Sequence, residues 1–236
     1  LSYGVVKKTA VAGIMITASH NPGKFNGIKI KTSQGGGAST EITKKIENYL
    51  GKTSVKTMEV WVAIKTKKIK ISNFKIDYLK FMREYIDFER IKHARYKVVQ
   101  DVMHGSGGRL LEEVLKGSKI RLTLMRDEIN PYFEGGKPEP VVEYLGGILK
   151  KVKDEKYDLG LVLDGDADRL AAIAPGGEFI SPQRILGLIV LHFGGVVITR
   201  ECEIGPNCVV HHQFNVVTTN HRQGARIGAL AGGLAG

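Results

Sequence analysis

The sequence predicts an α/β protein built on mixed, largely parallel sheets flanked by helices. Short apolar runs of strand length recur, at 11–17, 96–103, 120–125 and 158–163. Segments with apolar residues at helical spacing stand among them. The two most unusual loops, at 17–23 and 164–169, both follow such runs, where ligands usually sit in open α/β sheets.

Each element has its own warrant. Residues 11–17 (VAGIMIT) form an apolar run ending in a polar turn, and read as a buried strand that delivers a loop. Residues 27–31 (GIKIK) alternate apolar and basic side chains and predict a second strand. A turn at Gln34-Gly35-Gly36-Gly37 follows. Thr40 is placed to cap a helix over 41–50, with Ile42, Ile46 and Tyr49 or Leu50 on one face. Residues 51–75 are rich in lysine and poor in turn signals, and read as strand and linker. Tyr78, Phe81, Met82, Tyr85 and Ile86 give 77–91 the spacing of one helix. A strand over 96–103 leads into a glycine-rich turn at 104–108, a helix over 109–115 and a strand over 120–125. Three prolines and two glycines make 131–140 a loop. A helix over 141–152 and a strand over 158–163 complete the pattern, the latter running into Asp164-Gly165-Asp166-Ala167-Asp168-Arg169. No internal repeat is evident.

Composition narrows the function classes. No run of about 18 apolar residues exists, which excludes a membrane-spanning helix and gives no membrane partner. Cys202 and Cys208 are too few for a disulfide scaffold and read as free thiols in a reducing, cytoplasmic setting. His211, His212 and His221 have no second ligand pattern beside them and do not read as a metal cluster. Leu1-Ser2-Tyr3-Gly4 lacks both an initiator Met and a signal-like apolar core, so the amino end reads as cut rather than targeted. The formal charge of +11 first suggests nucleic acid. The distribution weakens that reading. Residues 1–156 hold thirty basic against seventeen acidic residues, and residues 157–236 hold five against seven. With no recognised motif and no aromatics interleaved on a basic strand, no nucleic-acid partner is expected. Nothing in the sequence sets an oligomeric state.

Two loops carry chemistry. Asp164, Asp166 and Asp168 alternate, so in an extended segment their carboxylates converge, which is costly unless a cation sits between them. Hard oxygen donors suit Mg²⁺ or Ca²⁺. An EF-hand fails, because Arg169 stands where glycine is needed and Pro175 where glutamate is needed. Arg169 beside the carboxylates suits a phosphate. The competing reading is a solvated acidic turn. In Thr17-Ala18-Ser19-His20-Asn21-Pro22, Ser19 is a candidate nucleophile or phosphate carrier with His20 as its acid or base, against a plain polar turn. The His104 turn precedes a helix and offers amides to an anion, or is merely a tight turn. Lys29 alternates with Ile28 and Ile30, and pattern alone makes it a solvated strand face. Glu139 and Glu143 read as ordinary loop and helix-start acids.

Together the loops are more specific. TASHNP followed by Phe25-Asn26-Gly27-Ile28-Lys29 resembles the phosphoserine loop of the α-D-phosphohexomutases, the phosphoglucomutase/phosphomannomutase family. DGDADR resembles that family's metal-binding loop, and the His104 turn and 136–143 (GKPEPVVE) stand in the family's order between them. The resemblance covers roughly residues 10–190. It implies repeated domains of the phosphohexomutase type. Ser19 would carry the phosphoryl group, and Asp164, Asp166 and Asp168, with an oxygen of that phosphoserine, would hold Mg²⁺. Arg169 and His104 would serve phosphate or substrate, and His20 and Lys29 would assist proton transfer. The reaction implied interconverts hexose 1-phosphate and hexose 6-phosphate, glucose or mannose, through a hexose 1,6-bisphosphate that is both intermediate and activator. Phosphoglucosamine is the near alternative, and Thr17 at the head of the serine loop leans towards glucose or mannose.

The resemblance divides the chain into the later part of a first domain (1–75, phosphoserine loop), a second domain (76–174, metal loop) and the opening of a third (175–236). After about residue 193 the resemblance fades, and the sugar-selecting and distal phosphate-binding motifs are absent. A frameshifted reading frame is favoured for that tail over a fragment or a divergence. Poor turnover by the chain alone is expected, and a non-catalytic metal- and phosphate-binding remnant is the competing function.

Overall fold

The structure, a computed structural model, describes residues 1–193, 196–198 and 216–218. The chain opens with α1 (Ser2–Lys7), whose Val5 is buried beside a hairpin of β1 (Ala12–Ile16) and β2 (Ile28–Thr32). The strands run antiparallel with Ala12 opposite Thr32 and Met15 opposite Lys29. The 11–17 run is a strand but not a buried one, since Val11, Ile14 and Ile16 are 91%, 66% and 61% exposed. Two strands among the described residues give α1 one face to cover and leave the other open.

The helix α2 (Thr40–Glu47) is capped by Ser39 rather than Thr40, the Ser39 hydroxyl accepting the Ile42 amide at 3.3 Å. Its apolar stripe, Ile42 and Ile46, is exposed. Where strand and linker were expected, residues 60–65 form α3 (Val60–Lys65). Its β-branched residues suggest extension, yet the turn closes locally and buries only Ala63. The single helix expected over 77–91 is two, α4 (Lys75–Tyr85) and α5 (Phe88–Lys92). Ile86 is extended, and the Asp87 carboxylate restarts the helix by accepting the Arg90 amide at 3.1 Å.

The second half is built on β3 (Lys97–Asp101), α6 (Leu110–Val114), β4 (Arg121–Met125), α7 (Gly146–Asp154), β5 (Leu159–Leu163), β6 (Leu170–Ala174) and β7 (Glu178–Ile180). One five-stranded sheet has the order β4-β3-β5-β6-β7. Both neighbours of β3 run parallel to it, β6 runs antiparallel to β5, and β7 runs antiparallel to β6, so the sheet is mixed as expected. Its core joins Val99, Val162, Ala171 and Ile173 of the sheet to Leu145, Ile148 and Val152 along α7. The helix expected from 141 starts later. A 3₁₀ turn at Val142–Tyr144 precedes it, and Gly146-Gly147 open the helix proper. The sheet also runs past the boundary expected after 174, because β7 pairs Ile180 with Ala172 of β6.

Next come α8 (Pro182–Phe193), which contacts β6, and the antiparallel pair β8 (Val196–Ile198) and β9 (Val216–Thr218). Cys202, Cys208, His211, His212 and His221 lie outside the described residues.

Candidate active site

Two strand ends meet. β1 stops at Ile16, and the Thr17 hydroxyl donates to Asp166 Oδ2 at 2.9 Å while accepting the Ser19 amide at 2.9 Å. The turn this makes holds Ser19 at φ +55°, a left-handed conformation uncommon for any residue but glycine. Residues so held cluster at functional sites. From the other side, β5 and β6 are consecutive antiparallel strands closed by the pair Leu163 and Leu170, and 164–169 is their connection.

Asp164 is fully buried in that connection. Its Oδ1 accepts the amides of Asp168 (3.0 Å) and Arg169 (3.1 Å), folding the loop back on itself. One carboxylate oxygen each from Asp164, Asp166 and Asp168 lies within 4.8 Å of the others. Gly165 makes the crossing possible, since a Cβ there would stand 2.8 Å from the Ser19 carbonyl oxygen and 2.8 Å from Pro138 Cγ. The His104 turn closes the fourth side, its Ser106 amide donating to the Gly165 carbonyl at 2.9 Å.

Lys29, opposite Met15 on β2, reaches into this cluster. Its Nζ donates to Asp166 Oδ2 at 3.0 Å and to Asp168 Oδ2 at 2.9 Å. Lys29 is therefore no solvated strand face. Burial acts to lower its pKa, but the hydrogen bonds to Asp168 and Asp166 prevail and hold it above the usual lysine range. Burial, then the neighbouring Asp168 and Asp166 charges, push Asp164 up to about 8. Asp168 is also raised, chiefly by burial, whereas for Asp166 the lysine and Thr17 hydrogen bonds outweigh burial and lower it. Three like charges this close resist ionising together.

His20, Glu139 and Arg169 form a second line. Glu139 Oε1 lies 3.8 Å from His20 Nε2 and 3.8 Å from Arg169 Nη1, and Arg169 Nε lies 3.9 Å from Asp164 Oδ2. Burial and then Arg169 lower the His20 pKa, against Glu139, Asp166 and Asp168, so the imidazole is neutral at pH 7. Its Nδ1 is buried without a partner. His104 stands apart. Its Nδ1–H donates to the Glu128 carbonyl at 2.9 Å, and its Nε2 is 3.3 Å from Glu134 Oε1 without hydrogen-bond geometry. The amides of His104, Gly105 and Ser106 are taken by the carbonyls of Arg126, Val102 and Gly165, so they form no anion cradle.

Two buried oxygens, Asp164 Oδ2 and Asp166 Oδ1, accept no hydrogen bond. Unpaired buried acceptors are costly. A cluster of hard carboxylate oxygens gathered this closely, with two left unpaired, fits a divalent cation such as Mg²⁺.

The comparisons with known proteins agree in detail. The sequence model of phosphoglucomutase/phosphomannomutase alpha/beta/alpha domain I matches residues 1–56, and that of domain II matches residues 76–177. The chain belongs to the phosphoglucomutase/phosphomannomutase family. Among similar members, a probable phosphoglucosamine mutase of Methanosphaera stadtmanae is 34% identical over 199 residues, which are 84% of this chain and 43% of that protein. A phosphoglucosamine/phosphogalactosamine mutase of Sulfurisphaera tokodaii is 30% identical, over 75% of this chain and 39% of its own. A crystal structure from Thermus thermophilus, provisionally named a phosphomannomutase, superposes with a TM-score of 0.74 at 28% identity, over 83% of this chain and 44% of that one. The chain thus spans less than half the length of these relatives.

In this member of the family the structure brings together Ser19, His20, Lys29, Asp164, Asp166, Asp168 and Arg169, and leaves the His104 ring at the edge. Sequence reasoning misses two contributors. Glu139, read as an ordinary loop acid, stands between His20 and Arg169. Thr17, read only as the head of the serine loop, is the hydroxyl that ties the two loops together. The signal for Glu139 lies in its flanks, since Pro138 is fully buried against Gly165 and Pro140 restricts the backbone of the residue before it.

Proposed function

We propose that this chain carries the chemical centre of a phosphohexomutase, working through a phosphoserine at Ser19 and a hexose 1,6-bisphosphate. Residues 1–75 would be the later part of the first domain, 76–174 with its continuation into β7 the second, and the rest the opening of a third. The observation that carries the reading is the pair of bonds from Thr17 and Lys29 to Asp166, which hold the serine loop over the acidic loop. Asp164, Asp166 and Asp168 would hold Mg²⁺ with the phosphoserine, and when bound the cation offsets charge on the transferring phosphoryl group.

The chain's own residues would do the rest. The bond from phosphorus to Ser19 Oγ breaks as a bond to a sugar hydroxyl oxygen forms, and the hydroxyl proton passes to the neutral imidazole of His20. In the return step the bond from the other phosphorus to its sugar oxygen breaks as a bond to Ser19 Oγ forms, and that sugar oxygen takes the proton back from His20. Arg169 supplies a fixed positive charge beside phosphate, and its guanidinium suits a planar fork of oxygens.

The relatives named for phosphoglucosamine support an amino sugar as the first substrate to test, ahead of glucose or mannose. The lean towards glucose or mannose placed on Thr17 has no support from its hydroxyl, which is engaged with Asp166 and Ser19. Intact-mass analysis after incubation with a hexose 1,6-bisphosphate and Mg²⁺ tests the reading. One added phosphate, lost in Ser19→Ala, is expected; an unmodified chain would sink it. A second measurement, conversion of glucosamine 6-phosphate against glucose 6-phosphate, ranks the sugars.

A further inference from the structure

Lys29 places its ammonium between two of the three loop aspartates, bridging Asp166 Oδ2 and Asp168 Oδ2 at 3.0 and 2.9 Å. Arg169 is farther, 3.9 Å from Asp164, and is shared with Glu139. The carboxylate cluster therefore holds an internal cation at hydrogen-bond distance, on two of the three carboxylates that would hold a metal.

We propose that Lys29 is the resident counter-cation of this loop, and that loading a divalent cation displaces its ammonium and releases it towards the serine loop. This rests on the reading of the acidic loop as a metal site. The two cations compete for the same carboxylates. A dication gains more from the cluster than an ammonium does, and the two repel at contact distance. The ammonium can leave, because it is compact, strongly hydrated and mounted on a flexible four-carbon stem. The stem is anchored on β2 beside the end of β1, so a displaced Nζ remains near the turn that carries Ser19. Metal loading and the availability of the lysine are then a single event. Without the metal, the lysine is tied to the carboxylates and cannot meet a phosphoryl oxygen or a sugar hydroxyl.

Two measurements on the full chain test this, with Mg²⁺ alone as the probe. Calorimetric titration of Lys29→Met is expected to show Mg²⁺ binding about tenfold tighter than in the parent chain, because no internal cation has to be displaced. Reductive methylation of the parent chain, read by peptide mass spectrometry, is expected to label Lys29 several-fold faster when Mg²⁺ is added. Lys45, exposed on α2 and absent from the carboxylate cluster, is the internal standard. Equal or weaker Mg²⁺ binding by a folded Lys29→Met overturns the proposal. So does a labelling rate at Lys29 that Mg²⁺ leaves unchanged or lowers, a result that needs no variant to fold. If the parent chain binds no Mg²⁺, the metal-site reading falls and this proposal with it. If it binds Mg²⁺ but neither change is seen, only this proposal falls.

Discussion

Thr17 and Asp166, 149 positions apart in sequence, share a 2.9 Å hydrogen bond. The same Thr17 oxygen accepts the Ser19 amide, so one hydroxyl orients both a metal-loop carboxylate and the backbone of the candidate phosphoserine. Thr17→Val keeps the shape and removes both bonds. A loss of about 1–3 kcal/mol in urea unfolding is expected, with a larger relative fall in Ser19 phosphorylation rate. Thr17→Ser, which keeps the hydroxyl, should recover most of that rate. Equal rates for the serine and valine variants would refute the role.

The metal-free loop should make stability depend on pH in an unusual direction. Asp164 holds its proton in the folded chain up to about 8, but releases it in the unfolded chain above its ordinary 3.8. Between those values the folded state binds more protons, so stability falls as pH rises. Metal-free thermal unfolding at about pH 8 should therefore occur below that at about pH 5, and the rise in Tm produced by Mg²⁺ should be larger at the higher pH. Asp164→Asn should flatten the metal-free profile and abolish the Mg²⁺ response.

Glu139 should act through its neighbours. Its pairs with His20 and Arg169 are 3.8 Å long and partly solvated, so Glu139→Gln should change stability by less than about 1 kcal/mol. Phosphorylation of Ser19 by the bisphosphate should nonetheless slow by about tenfold, with the loss in kcat rather than KM, because the groups it orients serve the transfer step. Unchanged rates would return Glu139 to the status of a surface acid.

The buried Asp101 and the part-buried Arg126 make a fork at the carboxyl end of β3, with bonds of 2.8 and 2.6 Å, and Asp101 also accepts the Met103 amide. Asp101→Ala leaves the guanidinium without its carboxylate and frees the Met103-His104 turn. A loss of about 3–5 kcal/mol is expected in denaturant unfolding. Gly165→Ala should be comparably harmful by another route, since its Cβ would overlap the Ser19 carbonyl and Pro138. Its Mg²⁺ binding should fall along with its stability.

Most strands were legible in the sequence because their apolar runs are short and bounded by turn residues. The strands over 121–125 and 159–163 lie within a residue or two of where they were expected. What failed has local causes. Asp87 turns one helical pattern into two helices, and no periodicity reveals a restart. The 60–65 segment looks extended by residue type but is helical. The burial expected for 11–17 assumed a sheet covered on both faces, which a hairpin packed on one helix is not. At the site, the spacing of the aspartates was informative, although the carboxylates meet through a turn, with Ala167 at φ +59° and Asp164 accepting the Asp168 and Arg169 amides, rather than through extended alternation. Glu139 and Thr17 were not, since their roles depend on His20, Arg169 and Asp166, each thirty or more positions away from the residue it pairs with.

The acidic loop is the connection of a hairpin, pinned at both ends by the pair of Leu163 with Leu170. Its carboxylates are gathered by the ladder before any ligand arrives. Little chain entropy remains to be lost when a cation enters, and affinity is bound to the integrity of two strands rather than to the mobility of six residues. Damage far along β6, such as a proline at Ala172, would then reach the chemistry as lost metal affinity, with every ligand still in the sequence.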